Sequence, residues 1–342
     1  MAAHTQTAAG SAALAARDTL KAYLVGGGIA SLAGAVYLIR DAKVPGQNIH
    51  ILEQSQLGGS LDASGSAEAG YSMRGSRMFG PAYVLTYDLL DGIPSLDDPD
   101  KTITEDTFGF WQEAPWFDKA RLVDRGKIVD ASSWGLRNQD RVDLIELMLR
   151  DEDVLGERRI DQCFQPAFFE THFWLMWSSM FGFQTWHSAV ELRRYLLRFL
   201  RLFQDLESMQ IIQSTRYSGY DSIVRPLVRW LEGQGVQFDV GVEVIDLDFA
   251  ARDDGRKVVR RIVCQRDGRS SGIDVGARDL VIVTIGSMTA HASLGSMDAA
   301  PVLRRDRAGG AWALWERLAA KDPAFGRPAG FCGHVDQTKW VT

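Results

Sequence analysis

The sequence predicts an α/β fold with a parallel sheet and a mainly helical subdomain inserted into it. Three observations predict this fold. A strand, a glycine turn, a helix and a second strand follow one another over residues 21–53. Residues 139–212 then carry helical patterning, and residues 236–284 return to short extended segments joined by turns.

Length and composition place the chain among ordinary globular proteins. Its 342 residues exceed what one hydrophobic core usually takes, so two joined subdomains are expected. A hydrophobic content of 46% and a charged content of 24% are typical of such proteins. The 38 basic and 44 acidic residues give a net charge of −6, which argues against a general nucleic-acid binder.

Cysteine and histidine usage excludes several classes of site. Cys163, Cys264 and Cys332 lie far apart in the chain, so neither a disulfide framework nor a zinc site is expected, and a reducing cytoplasm fits. The six histidines show no metal-ligand spacing, so no metal is expected. Residues 1–20 lack the basic and apolar regions of a signal peptide and are interpreted as a flexible arm. No apolar run reaches membrane-spanning length.

The first element in chain order is a βαβ unit over residues 21–53. The apolar run AYLV ends directly in glycines, as a buried parallel strand does. The stretch IASLAGAVYLIR predicts a helix, and Pro45-Gly46 ends it. The stretch NIHILE then predicts the second strand.

The glycine turn of this unit carries a dinucleotide fingerprint. Gly26 permits the tight turn, and Gly28 lets the backbone approach a pyrophosphate. The helix that follows, through Ala30, offers amide groups and the positive end of its dipole. Ser31 occupies the third fingerprint position and is small enough for close packing. Glu53 closes the second strand, where a carboxylate can bind ribose hydroxyls; a purely structural glycine turn is the alternative.

The residues after Glu53 favour FAD over NAD. The pair Gly58-Gly59 and Ser60 follow the acid after a short spacer. This pattern is similar to that of flavoproteins of the glutathione-reductase and amine-oxidase groups, in which the glycine pair passes along the FAD pyrophosphate. A nicotinamide dehydrogenase does not need a second glycine pair.

Two later stretches look like the segments that return to FAD in such folds. DLVIVTIGS, residues 279–287, looks like a strand and glycine turn that bring Gly286 and Ser287 to the cofactor. GVEVIDLDF, residues 241–249, looks like the segment whose backbone meets the adenine, near Val244. We therefore expect an FAD-binding Rossmann-like domain of glutathione-reductase or amine-oxidase type.

The helical region combines an amphipathic helix with a dense aromatic stretch. RVDLIELMLR carries apolar residues at helical spacing, at Val142, Ile145 and Leu149. The stretch that follows from 163 to 186 is either the core of a helical subdomain or the wall of a long apolar pocket. Its aromatic residues are Phe164, Phe168, Phe169, Phe173, Trp174, Trp177, Phe181, Phe183 and Trp186.

Four polar residues in or near this region have either a structural or a functional interpretation. His187 is interpreted as structural. Tyr195 lies among apolar residues and needs a partner or a task for its hydroxyl if it is buried. Tyr217 and Tyr220 sit where one helical region gives way to the next, and a helix cap at Asp221-Ser222 is the simplest explanation of that motif.

The stretch RGSRMFG predicts a loop that closes over an anion or a ring system. Gly75 and Ser76 make its backbone pliable, while Arg74 and Arg77 supply positive charge next to Met78. A surface turn with solvated arginines is the alternative.

Six stretches together resemble the oleate hydratases, also called the myosin-cross-reactive antigen family, and they run across residues 21–340 in the family's order. They are GGGIASLAGA, ILEQSQLGGSLDASG, YSMRGSRMF, FWLMWSSMFGFQTWHSAVELRRYLLRF, RYSGYDSIVRPLVRWLEGQGV and DLVIVTIGSMT.

The resemblance implies an FAD-dependent hydro-lyase. Such an enzyme adds water to the cis-9 double bond of a long-chain unsaturated fatty acid such as oleic acid, giving the 10-hydroxy acid without net redox change. A flavin oxidoreductase or double-bond isomerase on the same fold, and a non-catalytic flavin- or lipid-binding homologue, are the alternatives. The family's full length also implies peripheral contact with a membrane.

The resemblance implies roles for the candidate residues and shows two differences between this chain and the family. Many family members carry a glutamate in the Arg-Gly loop, credited with handling the water, and Met78 stands at that position here. The family's tyrosine acid aligns with Tyr195, with Tyr217 or Tyr220 as fallback. The chain also ends before the family's C-terminal part.

The expected domain organisation follows from these assignments. It comprises an arm over 1–20, the first part of the FAD domain over 21–118, a helical substrate-pocket subdomain over 119–215, returning strands of the FAD domain over 216–300, and a mixed tail over 301–342.

Overall fold

The computed structural model describes ten stretches of the chain, which form two compact units. One unit comprises Met1–Phe110 with Ser214–Thr342, and the other comprises Trp111–Gln213. The described residues are 19–73, 78–80, 82–115, 122–130, 132–205, 213–251, 255–284, 293, 295–302 and 310–333. The domain boundaries and the N-terminal arm expected from the sequence stay predictions.

The described residues contain thirteen strands, most of them short. They are β1 (Ala22–Val25), β2 (Ile49–Glu53), β3 (Ala63–Ser66), β4 (Gly70–Met73), β5 (Met78–Phe79), β6 (Leu122–Asp124), β7 (Lys127–Val129), β8 (Gln213–Ser214), β9 (Gln237–Val240), β10 (Glu243–Ala251), β11 (Lys257–Arg266), β12 (Arg269–Asp274) and β13 (Leu280–Val283).

The described residues also contain ten α-helices, together with short 3-10 turns and one π-helical turn at Tyr220–Val224. The α-helices are α1 (Ile29–Arg40), α2 (Val84–Leu90), α3 (Ile103–Glu113), α4 (Asn138–Leu149), α5 (Glu152–Leu155), α6 (His172–Phe181), α7 (Ala189–Phe199), α8 (Arg225–Gly233), α9 (Gly310–Lys321) and α10 (Ala329–Cys332).

A four-stranded parallel sheet forms the centre of the first unit. Its order is β13-β1-β2-β9, so that β1 lies between β13 and β2. All four residues of β1 are buried, because a central parallel strand is covered on both faces. Helix α1 connects β1 to β2, which confirms the βαβ unit expected over residues 21–53.

A three-stranded antiparallel sheet, β10-β11-β12, packs its apolar face with the parallel sheet. Helix α9 covers β10: Arg317 donates to the carbonyl of Ile245 at 2.6 Å, and Lys321 donates to that of Leu247 at 2.7 Å. The buried residues of the shared core are Tyr23, Val25, Leu52, Val242, Val244, Leu247, Ile262, Cys264, Val275, Leu314 and Leu318.

The second unit is helical in its described residues, apart from the hairpin of β6 and β7. Most aromatic residues of the 163–186 stretch are buried in its core. Trp177 is 1% exposed and stacks on Phe173 with ring centroids 5.6 Å apart. Trp186 is an exception at 43% exposed. The core interpretation of this stretch therefore accounts for most of its aromatic residues.

Helix α4 buries a different stripe from the one that its spacing indicated. Val142, Ile145 and Leu149 are exposed, whereas Leu144 and Leu147 are buried in the aromatic core. Both stripes have helical spacing, so periodicity alone does not select between them. The neighbouring aromatic residues select the Leu144 side. Among the described residues, no helix is both long and apolar enough to cross a membrane.

The start of α4 carries a buried carboxylate. Asp140 is fully buried, and its two oxygens accept hydrogen bonds from Arg137: Oδ2 from the backbone N–H and Nε, both at 2.9 Å, and Oδ1 from Nη2 at 2.6 Å. The side-chain hydrogen bond from Arg137 holds the pKa of this carboxyl below its usual value. The carboxylate also satisfies a free amide at the helix start.

We expect Asp140→Asn to lower the free energy of unfolding of the second unit by about 1 kcal/mol at neutral pH, because a charged acceptor at a helix start is lost. The folded-state pKa lies below the unfolded value of about 3.9, so this contribution is present above that value and is lost as the pH falls through the folded pKa. Urea unfolding followed by Trp fluorescence at neutral and acidic pH measures it.

The matched control for this prediction is Asp143→Asn, a change one turn later on the same helix. Asp143 accepts a hydrogen bond from Gln139 but is partly exposed. Equal effects of the two substitutions, or a difference that does not shrink in acid, would contradict the role given to Asp140.

Candidate dinucleotide site

The turn after β1 admits no side chain at its first glycine. Gly26 has a φ of +96°, a conformation that side chains disfavour. A Cβ at this position would lie 2.8 Å from both the carbonyl oxygen and Oγ1 of Thr284. The Gly26 N–H donates to the carbonyl of Leu52 at 2.8 Å. The turn is therefore held between the ends of β2 and β13.

Ser31 connects helix α1 to the end of β13. Its side chain is fully buried, and its Oγ lies 2.9 Å from Thr284 Oγ1. Thr284 Oγ1 in turn donates to the carbonyl of Val25 at 2.8 Å. The third fingerprint position thus carries a hydroxyl that is hydrogen-bonded, which removes the cost of burying it.

Glu53 is held at the end of β2 by backbone amides. Its Oε2 accepts from the N–H of Gly27 at 2.6 Å, and its Oε1 accepts from the N–H of Ser55 at 2.9 Å. A carboxylate has about four acceptor positions, so further hydroxyl donors can still bind. The residue stands where the sequence predicted a ribose ligand.

The second glycine pair lies against the first. Gly58 donates its N–H to the carbonyl of Gly27 at 2.9 Å and forms a parallel bridge with Gly28. A Cβ on Gly59 would lie 3.0 Å from Gly28 Cα, whereas a Cβ on Gly28 would meet nothing closer than 3.8 Å. Two glycine backbones therefore face each other, and a Cβ at Gly28 would make only an ordinary van der Waals contact with Gly59.

These features fit a dinucleotide diphosphate. Helix α1 begins after Gly28, which has no side chain to cap the first-turn amides. Free amides at a helix start, together with the helix dipole, attract anions. Ala30 in the first turn is exposed and small. A side chain in place of Gly28 or Gly59 would occupy the surface next to this helix start. The glycines therefore suit a ligand group that approaches the backbone closely.

The strand that carries Val244 begins next to Glu53. The N–H of Val242 donates to the carbonyl of Glu53 at 2.9 Å, two residues before Val244. The side chain of Val244 is buried in the core, and its backbone pairs with Cys264. Contact of this backbone with an adenine stays a prediction.

Of the other predicted cofactor residues, Ser60 lies in the 3-10 turn Gly59–Leu61, directly after the glycine pair. Six predicted ligands lie outside the described residues: Arg74, Gly75, Ser76, Arg77, Gly286 and Ser287. Within the described stretches, no group of three or more His, Cys, Asp or Glu side chains is placed to hold a metal ion.

Tyr195 lies in the second unit, on helix α7, inside an aromatic shell. Its ring meets Phe181 and Phe183 edge to face, at centroid distances of 5.3 and 5.2 Å, and Phe199 at 5.9 Å. The side chain is half-buried. No hydrogen bond to its hydroxyl is formed by the residues described.

His187, close to this tyrosine in sequence, has a structural contact. Its Nδ1 accepts from the N–H of Gln184 at 3.2 Å, and burial lowers the pKa of its imidazole. The neutral ring that accepts this bond needs no further role.

The remaining candidates lie in the first unit. Met78 is 50% exposed on β5, while the adjacent Phe79 is buried. Tyr217 is 52% exposed, and a hydrogen bond to Asp97 raises the pKa of its phenol, which makes it a weaker acid. Tyr220 lies against the second glycine pair: a Cβ on Gly58 would be 3.2 Å from its Cδ2.

The sequence did not indicate that Thr284 and Gly27 are part of this site, nor that Tyr220 lies beside Gly58. Thr284 directly follows the strand DLVIV, so its position at the carboxyl end of a parallel strand was the available signal. Gly27 reads as a spacer in the fingerprint, yet a Cβ there would lie 2.6 Å from Leu57. Nothing in local sequence indicated the contact of Tyr220 with Gly58.

Known proteins similar to this chain include solved structures and curated enzymes. A solved oxidoreductase from Methanosarcina mazei is 13% identical, with a TM-score of 0.48 over 78% of this chain and 59% of that one, a likeness too weak to indicate function. An oleate hydratase of Streptococcus pyogenes serotype M49 is 36% identical over 328 residues, covering 94% of this chain and 55% of the hydratase.

A linoleate hydratase of Lactiplantibacillus plantarum is 31% identical over 347 residues, covering 94% of this chain and 61% of that enzyme. The chain thus spans little more than half the length of these curated relatives. The sequence model of the MCRA family matches residues 19–342, which include all the described elements. The chain belongs to the MCRA family.

Proposed function

We propose that the first unit binds FAD. The observation that carries the proposal is the face-to-face approach of Gly28 and Gly59 at the start of helix α1, beside the carboxylate of Glu53. Gly28 and Gly59 would pass along the diphosphate, and Glu53 would accept from ribose hydroxyls. The second glycine pair favours a flavin over a nicotinamide dinucleotide.

We further propose that the whole protein hydrates an unsaturated fatty acid. The two curated relatives are named for hydration of oleate and of linoleate, and both match nearly all of this chain. The substrate would be a long-chain fatty acid with a cis-9 double bond, and the product its 10-hydroxy derivative. The aromatic second unit would supply an apolar wall for the hydrocarbon chain.

Hydration of an isolated alkene needs an acid, a positioned water and little competing solvent. The acid transfers a proton to one alkene carbon while the oxygen of water bonds to the other, and water then loses a proton. The bound flavin would organise and polarise the site, and no electrons would be transferred. The protein residues therefore have to deliver and recover one proton.

Tyr195 is the acid in this proposal. Its hydroxyl has no hydrogen-bond partner among the described residues, and its half-buried ring lies among Phe181, Phe183 and Phe199, whose apolar rings would limit the water around it. A phenol that loses its proton to the alkene becomes a phenolate. This phenolate can recover a proton from the attacking water, which closes the cycle.

Met78 limits the proposed chemistry. It stands where the family resemblance places a glutamate that handles water, and a thioether does not accept a proton usefully. Its 50% exposure leaves it accessible from solvent. This residue favours a second candidate function, a flavin- and lipid-binding protein without turnover.

The first prediction of this proposal is that the protein, expressed in full, takes up FAD and converts oleic acid in heavy-oxygen water to a labelled 10-hydroxy acid. Absorbance in the flavin band measures the cofactor, and mass spectrometry measures the label. Uptake of FAD without product would support the binding function. Failure to bind FAD would exclude both functions, and unlabelled product would indicate oxidation or isomerisation instead.

The second prediction is that Tyr195→Phe lowers the rate of hydration by about 10²-fold or more, the usual loss on removing a general acid, with an unchanged FAD dissociation constant. Steady-state assay and FAD titration measure the two quantities. The control is Tyr71→Phe, which removes the hydroxyl of a tyrosine that is 80% exposed. A Tyr195→Phe enzyme as fast as the control would remove Tyr195 from this role.

The third prediction is that Met78→Glu raises the hydration rate by about 10²-fold, because the carboxylate can accept the proton that water releases. Met78→Gln has the same length without a usable base and is expected to leave the rate unchanged. The same oleate assay compares both variants with the unmodified protein. Equal rates for Glu and Gln would show that position 78 does not handle water in this protein.

A further inference from the structure

The loop before helix α8 presents Tyr220 on a rare type of turn. Residues Tyr220–Val224 form one π-helical turn, an element that is uncommon and concentrated at functional positions. Pro226 explains the irregularity, because a proline in a helix lacks an N–H and its ring crowds the carbonyl four residues earlier, that of Ser222. The wider turn relieves this conflict.

Side-chain hydrogen bonds hold the start of this turn in place. Ser218 Oγ accepts from the N–H of Asp221 at 3.2 Å and lies 2.9 Å from Asp221 Oδ2. Ser222 Oγ accepts from the N–H of Tyr217 at 3.1 Å. Polar side chains on both sides of Tyr220 thus hold this segment in place. Asp221 and Ser222 lie inside the π-helical turn, and the residues at the N-cap positions of this turn and of helix α8 are Gly219 and Val224, so the helix cap expected at Asp221-Ser222 is not formed.

The braced loop lies directly on the second glycine turn of the candidate site. A Cβ on Gly219 would lie 3.1 Å from Leu61 Cδ2, and a Cβ on Gly58 would lie 3.2 Å from Tyr220 Cδ2. Gly58 and Gly59 both have positive φ values, +113° and +55°. The ring of Tyr220 therefore covers a backbone that, being glycine, has little conformational preference of its own.

The same glycine turn is joined to the dinucleotide fingerprint. Gly58 donates to the carbonyl of Gly27, and Gly59 faces Gly28. A change in the position of this glycine turn would alter both contacts, and with them the surroundings of Gly28. Tyr220, which is about 160 residues later in the chain, is thereby connected to the turn that approaches the diphosphate.

We propose that Tyr220 is a positioning residue for the flavin dinucleotide, which holds the Gly58-Gly59 turn in its binding conformation through contact with its ring. The proposal rests on the proposed binding of FAD and goes beyond it by giving Tyr220 a task other than proton transfer. The ring is the part that acts, since it is the ring edge that meets Gly58. The hydroxyl is not required.

The physical basis is the entropy of a glycine pair. Without the ring, Gly58 and Gly59 sample many backbone conformations, and the ligand has to order them at the moment of binding. With the ring in place, that ordering is complete before the ligand arrives. Removal of the ring therefore weakens binding even though the ring need not touch the ligand.

The test compares Tyr220→Phe with Tyr220→Ala in the full-length protein, titrated with FAD. We expect the dissociation constant of Tyr220→Phe to lie within about threefold of the unmodified protein, and that of Tyr220→Ala to rise about tenfold or more, which corresponds to 1.4 kcal/mol. Tyr71→Ala is the control, a truncation of an exposed tyrosine in the same unit. Equal affinities for Tyr220→Ala and this control would overturn the proposal.

Hydrogen exchange in the ligand-free protein provides a readout that does not depend on FAD. Amides of residues 57–62 are expected to exchange faster in Tyr220→Ala than in the unmodified protein, while Tyr220→Phe and Tyr71→Ala leave them unchanged. Unchanged exchange in Tyr220→Ala would overturn the role of the ring. If the unmodified protein fails to bind FAD, the proposed function is wrong, and the exchange result still decides whether Tyr220 orders the turn.

The oleate assay separates positioning from catalysis. Tyr220→Phe is expected to retain hydration, because the ring that orders the turn is present. Loss of hydration in Tyr220→Phe with unchanged FAD affinity would make Tyr220 the proton donor and overturn the proposal.

Discussion

The close approach of backbone turns at the carboxyl ends of β1, β2 and β13 is the constraint on which the first unit depends. A side chain at Gly26 would collide with Thr284, and one at Gly59 would press on Gly28. Because these positions lack side chains, amides and carbonyls can meet directly, and the carboxylate of Glu53 reaches the amide of Gly27. Such bare backbone at a helix start suits the binding of an anion.

The two units use tyrosine in two different environments. Tyr195 lies half-buried among phenylalanine rings, and its hydroxyl is the proton donor that we propose. Tyr220 lies beside a glycine turn, whose backbone we propose that its ring orders. Tyr217 is exposed and hydrogen-bonded to Asp97, which weakens it as an acid. The three tyrosines share a residue type, and it is their surroundings that distinguish them.

Local patterns predicted much of the fold and part of the site. The sequence predicted the strand AYLV, the glycine turn and the helix through Arg40. Strand burial, turn geometry and helix periodicity are short-range properties, so local sequence carries them. Glu53 followed from its place at the end of a strand. The sequence did not predict which face of α4 is buried, because Leu144 and Val142 lie on two apolar stripes that both have helical spacing. The neighbouring aromatic core buries the stripe that carries Leu144.

The sequence by itself indicated the kind of ligand site that we propose, because a dinucleotide needs glycines, a helix start and an acid at fixed short spacings. Tertiary structure decided which distant side chains complete it. Ser31 meets Thr284 across 253 residues, and Tyr220 meets Gly58 through a π-helical turn. Such contacts depend on strand order and on how loops fold back on the sheet, and neither is encoded in a spacing that can be read along the chain.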